Sequence, residues 1–327
     1  MKNNKHSLVQ NLARYFLVIV LFLVAALFGI IESRFFNVTN IMDILRTSSV
    51  IGMLTLSMMA CMITGDMNFA LGVQATIAAA VVGNVMASPI NNYPLAIILA
   101  VLVSVGISAL TAFFVIQLKV PAFIGTLALQ IALNGLAKSM TGNTTMFSDK
   151  WGEGYVRLGQ GYVFGIIPNP VIVFVIVVII MWIYFEKTRS GRYIFALGAN
   201  ATACKQMGIN IKMEKLKGYL ISGALAAIVG IVQTSISNNV SIKLGGDMLL
   251  PAISGTMLGA TFLVPGKYNV AGSVIAAVLL VLVENGVMNL GGSMYVKDIF
   301  QGIILMVAMG IIARVRKEGL PSVRFES

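Results

Sequence analysis

The chain has 327 residues, of which 58% are hydrophobic and only 11% charged, with a mean hydropathy of +0.91. Soluble domains average about 45–50% apolar and about 25% charged residues, which excludes an ordinary globular protein; disorder is excluded because there is ample apolar surface to bury. A net charge of +11 implies nucleic acid only when it forms a stripe on a soluble domain, whereas here the basic residues border long apolar runs.

A helix that crosses a bilayer needs about 20 mostly apolar residues. Such runs fall at 15–31, 45–63, 69–87, 94–116, 122–140, 168–185, 214–236, 247–264, 270–289 and 295–313. They predict an all-α polytopic membrane protein of ten transmembrane helices, forming one transmembrane domain over residues 1–327. Lys2, Lys5 and Arg14 precede the first run as they would in a signal peptide. That run is longer than an h-region of about 7–15 residues and no A-x-A site follows it, so it is expected to remain a helix. Short turns join most runs. The exceptions are a wet loop over 141–167 and a basic loop over 186–213.

Loop charge sets the orientation. With ten spans, one side holds both termini and 16 of the 23 basic residues, including Lys119, Lys187, Arg189, Arg192, Lys205 and Lys212. The other side holds Arg34, Arg46, Lys138, Lys150, Arg157, Lys243 and Lys297, nearly balanced by nearby acids. The termini are therefore expected in the cytoplasm. Spans two to five then enter from outside and spans seven to ten from inside, as an inverted repeat requires. Gly255 and Gly259 have the spacing of a close helix contact.

Few residues carry recognisable chemistry. Cys61 lies in an apolar run and Cys204 in the basic loop, which defines neither a disulfide framework nor a metal site. His6, the sole histidine, lies in the N-terminal tail, so neither zinc nor histidine catalysis is expected. The segment GATFLVPGK at 259–267 approaches a phosphate-binding loop, but its glycines are two residues too far apart and Tyr268 stands where Ser or Thr would bind magnesium. No nucleotide site is expected in this chain. Glu284 is the one acid near the middle of a span, and Asp66 sits at a span boundary. Asn134, Asn285 and Asn289 are among the neutral polar groups within spans; they fit either a wet path for a hydroxylated solute or hydrogen bonds between helices.

In the basic loop, Asn200 is a good helix cap. Residues 201–207 can make two turns that Gly208 ends, with Ala199, Ala203 and Met207 offering small or flexible contacts. This pattern fits a docking helix or a solvated connector.

At this loop the chain resembles a family. KTRSGRYIFALGAN at 187–200 and MGIN at 207–210 are similar to the cytoplasmic signature of ribose-type (simple-sugar) permease subunits of bacterial ABC importers. KVPAFIGTL at 119–127, GATFLVPGK at 259–267 and ENGVMN at 284–289 resemble further motifs of that family, in the right order, and the likeness runs from about residue 35 to 313. The chain departs from the family's GGIDLSVG at 65–72, which here reads GDMNFALG. The resemblance implies a multi-pass inner-membrane permease that is not itself an enzyme. It implies a second permease copy or paralogue, a cytoplasmic ABC ATPase that carries ATP and magnesium, and a periplasmic or lipid-anchored solute-binding protein. Asn200, Ala203, Met207 and Gly208 would couple to the ATPase; Asn134, Asn285 and Asn289 would face a simple sugar or related solute. The rival is a stand-alone ion-coupled carrier using Glu284. A membrane enzyme is disfavoured by the missing nucleophile, base and metal constellations.

Overall fold

The computed structural model describes residues 2–147, 151–263 and 266–292, with residues 296, 299, 301–303, 306 and 310. Helices dominate: α1 (Lys2–Ile31), α2 (Val38–Met62), α3 (Leu71–Ala87), α4 (Tyr93–Ile116), α5 (Ala122–Thr141), α6 (Glu153–Gln160), α7 (Asn169–Trp182), α8 (Arg189–Ala199), α9 (Ala201–Gln206), α10 (Ile211–Ser237), α11 (Leu244–Gly259) and α12 (Val270–Asn289). A π-helical turn, Ile183–Lys187, prolongs α7. Two short antiparallel pairs complete the description, Met146–Phe147 with Asn239–Val240 and Tyr162–Val163 with Ile167–Pro168.

Helices lie over the first nine apolar runs; the run at 295–313 falls largely outside the described residues. Five described helices are long and apolar enough to cross a membrane: α2, α4, α7 with its π-turn, α10 and α12. Burial sorts them. In the most apolar stretch of α2, 83% of residues are buried, against 28% in α7. Thus α2 is the central post, and the outward Ile176, Ile179 and Ile180 of α7 are suited to lipid.

Asparagines cap four of the long helices, and α2, α4 and α10 begin earlier than their apolar runs. The side chains of Asn37, Asn92, Asn210 and Asn269 accept from backbone N–H groups in the first turns of α2, α4, α10 and α12. A neutral cap satisfies an otherwise orphaned donor without placing charge near lipid.

Packing follows an exchange pattern. α2 packs on α10; α4 packs on α10 as α12 packs on α2; α3 packs on α4 as α11 packs on α12; α10 packs on α3 as α2 packs on α11. At the centre, α3 and α11 meet through the second residue of each. A Cβ on Gly72 would collide with the Gly245 carbonyl oxygen, and one on Gly245 with that of Gly72. The Gly245 N–H donates to Thr76 Oγ1 at 2.9 Å, so α3 caps α11 where Lys243 supplies no side-chain cap. Gly255 and Gly259 face different partners: Gly255 abuts Thr55 of α2, and Gly259 abuts the Gly272–Ser273 backbone of α12.

The segment 141–167 is largely exposed, as a wet loop would be, but it is not all loop. It contains α6, whose Tyr155 is fully buried and donates to the Ile231 carbonyl at 2.8 Å. Ser235 returns a bond to the Tyr155 carbonyl at 2.5 Å, and Gly159 lies against the backbone of Ser235 and Ile236. Burial pushes the Tyr155 phenol above its ordinary range, so it remains a neutral donor. Gly159 lets a polar-looking segment sit directly on α10, while Gly154 lies against Tyr93 at the start of α4.

Gly245→Ala is expected to lower the thermal midpoint of the purified protein in detergent or nanodiscs, at a cost of about 1–3 kcal/mol or more, because its methyl meets backbone. Gly246→Ala, where a Cβ meets nothing within 4 Å, should be neutral or slightly stabilising. Equal effects at both positions, read by thermal unfolding, would remove the special role of the crossing.

Candidate functional site

Two regions at opposite ends of α2 and α10 gather polar groups. At the first, the late part of α2 meets the early part of α10 in antiparallel fashion: Ser57 Oγ donates to the Ser222 carbonyl at 2.7 Å, and Gly218 lies against the Ala60 carbonyl. Just beyond, Lys215 Nζ donates to both carboxylate oxygens of Asp66 at 2.9 and 3.0 Å. The two side chains are 26% and 10% exposed, so the pair is partly desolvated and neither partner is readily given up. A second network ties α8 to α10. Ser190 Oγ donates to Glu214 Oε2 at 2.9 Å, and Lys217 Nζ donates to Glu214 Oε1 at 2.7 Å and to Ser190 Oγ at 3.0 Å. The buried Glu214 carboxylate therefore has both oxygens satisfied.

The basic loop is consequently a folded platform. Thr188 Oγ1 accepts from the Gly191 N–H and caps α8, a helix that the sequence reading did not place. Gly191 lies on the Tyr184 and Phe185 carbonyls, and Gly198 lies against the Ile63 carbonyl at the end of α2, too close for a side chain. Asn200 Oδ1 accepts from the Ala203 N–H at 2.9 Å, capping α9 as its spacing predicted. Gly208 has φ +76° and ends the helix with a conformation that favours glycine. On α9, Cys204 turns inward and is buried, Ala203 is half-buried, and Met207 is 78% exposed. The outward surface thus includes Met207, while Ala203 sits at its margin.

The second region is a cavity of about 210 Å³ between the first half of α2, the end of α10, the start of α11 and the second half of α12. Arg46, Thr47, Gln233, Asp247 and Glu284 contribute its polar lining, with Val50, Ile51, Met248 and Pro251 among the apolar groups. Arg46 lies over the Tyr162 ring at 4.9 Å and reaches Asp43 at 3.7 Å.

The three asparagines singled out in the sequence do not line this cavity. Asn285 and Asn289 donate to Asn40 Oδ1 at 2.9 and 3.1 Å, and Asn289 also donates to Asn285 Oδ1 at 3.0 Å. This cluster joins α12 to the start of α2. Asn134 is half-buried on α5, which packs chiefly on α3. Sequence reading missed Asn40, Arg46, Gln233 and Asp247 as neighbours. No spacing rule brings α2, α10, α11 and α12 together.

Comparison with known proteins adds to this geometry. The family model described as branched-chain amino acid transport system / permease component matches residues 40–309. The ribose import permease protein of Haemophilus influenzae is 30% identical over 296 residues, covering 89% of this chain and 90% of that one. The galactose/methyl galactoside import permease protein of Escherichia coli is 25% identical over 325 residues, covering 94% and 96%. A probable ABC transporter permease protein of Escherichia coli is 26% identical over 309 residues, covering 93% and 91%. No solved structure matches the chain.

Lys215→Met, which leaves Asp66 without its cation, is expected to lower the thermal midpoint more than the double change Asp66→Asn with Lys215→Met. Removing one partner strands the other, whereas removing both does not. A double-mutant cycle read by thermal unfolding checks this, and additive losses would show that the pair is solvated and uncoupled.

Proposed function

Because the chain belongs to the branched-chain amino acid transport system / permease component family, we propose that it is the membrane-spanning permease subunit of an ATP-dependent ABC importer for a simple sugar or related small hydroxylated solute. The curated sugar permeases it resembles over almost their full lengths support a sugar ahead of an amino acid. The family model's own description includes amino acid transport, so membership alone leaves the solute class to the site.

The observation that carries the reading is the α8–α9 platform. An importer that hydrolyses ATP on a separate subunit needs an element that contacts that subunit and moves the spans. Here the exposed Met207 surface stands on a helix pair fixed to α2 through Gly198 and Ile63, and to α10 through Ser190 and Glu214. A push on α9 is therefore delivered to the two central helices rather than lost in a mobile loop.

In this reading both termini and the platform are cytoplasmic, as the excess of basic residues on that side requires. The exchange of packing partners between α2–α4 and α10–α12 supports an inverted repeat among ten spans. The partners are a second permease copy or paralogue, a cytoplasmic ABC ATPase holding ATP and magnesium, and a periplasmic or lipid-anchored solute-binding protein. Asn134, Asn285 and Asn289 remain candidate solute-facing groups: cysteines there should react with polar thiol reagents in a nucleotide-dependent way if they face the path. The location of Glu284 on a cavity gives the ion-coupled carrier its one specific support.

Uptake into vesicles by the purified components, with and without ATP, separates these readings. ATP-dependent uptake that requires the ATPase is expected, and Glu284→Gln should retain most of it because the amide still accepts and donates hydrogen bonds. Uptake by this chain alone under an ion gradient, abolished by Glu284→Gln, would establish the carrier instead.

Ala203→Arg is expected to reduce uptake and binding-protein-stimulated ATP hydrolysis together, with membrane insertion intact. Asn200→Ala should be milder, since a lost cap costs about 0.5–2 kcal/mol. Normal transport by the Ala203 variant, with the ATPase still co-purifying, would move the coupling contact elsewhere, most directly to the 265–267 turn.

A further inference from the structure

The cavity between α2, α10, α11 and α12 is assigned no role by the packing around it, and its charged groups surround open volume. Three charged side chains of both signs, Arg46, Asp247 and Glu284, share it with Gln233 and Thr47. Asp247 stands in the first turn of α11, but Glu284 lies well inside α12, and a charge within a membrane helix is costly and calls for a functional explanation. The Arg46 guanidinium is held over the Tyr162 ring, and its Nε is buried without a protein partner.

The other half of the fold offers a control. Asp247 stands two residues after Gly245, and Gln74 stands two residues after Gly72, its reciprocal partner in the crossing. Gln74 is fully buried, and its Oε1 accepts from Ser108 at 3.2 Å. Ser104 donates to the Gly223 carbonyl at 2.7 Å beside it, and Gly223 lies directly on Ser108. The corresponding place near the other end is thus packed with small residues, and Gln74 is held there through Oε1 while its Nε2 is buried without a partner. A fold able to fill that position on one side leaves it open and polar on the other.

We propose that this cavity is a solute subsite for a neutral polyhydroxylated molecule of about monosaccharide size, on the side from which the importer receives its cargo. This rests on the importer reading above and names where, within this chain, the cargo is first held. The volume is smaller than the about 300–1,000 Å³ typical of drug-sized sites. Asp247 and Glu284 accept hydroxyl protons, Arg46 donates, and Gln233 and Thr47 do both. Adjacent hydroxyls on a sugar ring present alternating donors and acceptors, which match such a mixed set. The apolar half of the lining, Val50, Ile51, Ile236, Met248 and Pro251, can meet the C–H faces of a sugar ring while the polar half takes its hydroxyls.

The test uses Gln233→Cys in the full chain, purified in lipid nanodiscs. Cys61 and Cys204 are both buried, so the unmodified chain supplies the blank. A small charged methanethiosulfonate should modify Cys at 233, and millimolar D-ribose or D-galactose should slow that reaction several-fold while L-leucine does not. Protection by leucine or by sodium ions instead of the sugars would overturn the ligand class. Absence of modification, or modification that neither sugar slows, would overturn the site.

In the complete complex, Gln233→Leu should cut sugar uptake about tenfold while the ATPase still co-purifies, and Gln233→Asn, which keeps a donor and an acceptor, should retain more of it. Full uptake by the Leu variant would also overturn the site. Thr47→Val, expected to reduce uptake several-fold, replaces Gln233→Leu if that variant fails to assemble. ATP-dependent uptake by the unmodified complex is read separately, so loss of the subsite and loss of the importer reading are distinguishable.

Discussion

The contact between Gly72 and Gly245 constrains everything around it. In a bilayer, helices gain little from hiding apolar surface, because lipid tails are as apolar as leucine; close fit and hydrogen bonds decide the packing. At this crossing two backbones touch, and no side chain larger than hydrogen fits on either. The Gly245 N–H is completed by Thr76 of the opposing helix. Because α3 also lies on α10, and α11 on α2, the crossing fixes the distance between the two central helices. Gly230, set against the Ala75 carbonyl, repeats the same device one turn away along α3.

The two ends of this frame are built differently, and the difference has mechanical content. At the Asp66–Lys215 end, small residues, serine hydroxyls and ion pairs close the space between α2, α3, α4 and α10. At the Arg46–Glu284 end, comparable positions surround open volume. α8 bears on the closed end through Gly198 and Ile63, whereas the open end is about three to five helical turns away along α2. Networks with two discrete arrangements are the physical requirement for transmission, and at the closed end the groups concerned are the Asp66–Lys215 and Glu214–Lys217 pairs.

The architecture was legible where one physical rule dominates. Long apolar runs mark bilayer-length helices, so α2, α4, α7, α10 and α12 were visible from composition, and Asn200 with Gly208 bounded α9 correctly. The same capping logic, applied to Asn37 and Asn210, would have moved the starts of α2 and α10 to their observed places. The role of 141–167 was hidden because its polar composition says nothing of Tyr155 and Gly159 seating it on α10. α8 was hidden by Gly191 and Gly198, which read as loop residues yet are helical and serve close contacts. The cavity was beyond reach, since its lining is drawn from four helices separated by as much as the length of the chain's core.

The departures from the family pattern at 65–72 also become physical once placed. Where the family's GGIDLSVG carries an aspartate, this chain has Asn68, which is fully buried and uses Oδ1 to accept from the Ala70 N–H at 3.1 Å. An aspartate there would place a charge in that buried position, while asparagine keeps the acceptor without the charge. The serine of the pattern is Ala70 here, at the head of α3; the neighbouring Phe69 N–H is met instead by Thr126 Oγ1 at 3.2 Å. The carboxylate of this chain stands two residues earlier, at Asp66, within reach of Lys215. The negative charge of this segment is thus met by Lys215, close in sequence to the Ile63–Gly198 contact that links α2 to the platform. These substitutions lie at the Asp66–Lys215 end, away from the cavity lining. Solute choice is to be sought at the other end, where Arg46, Gln233, Asp247 and Glu284 meet.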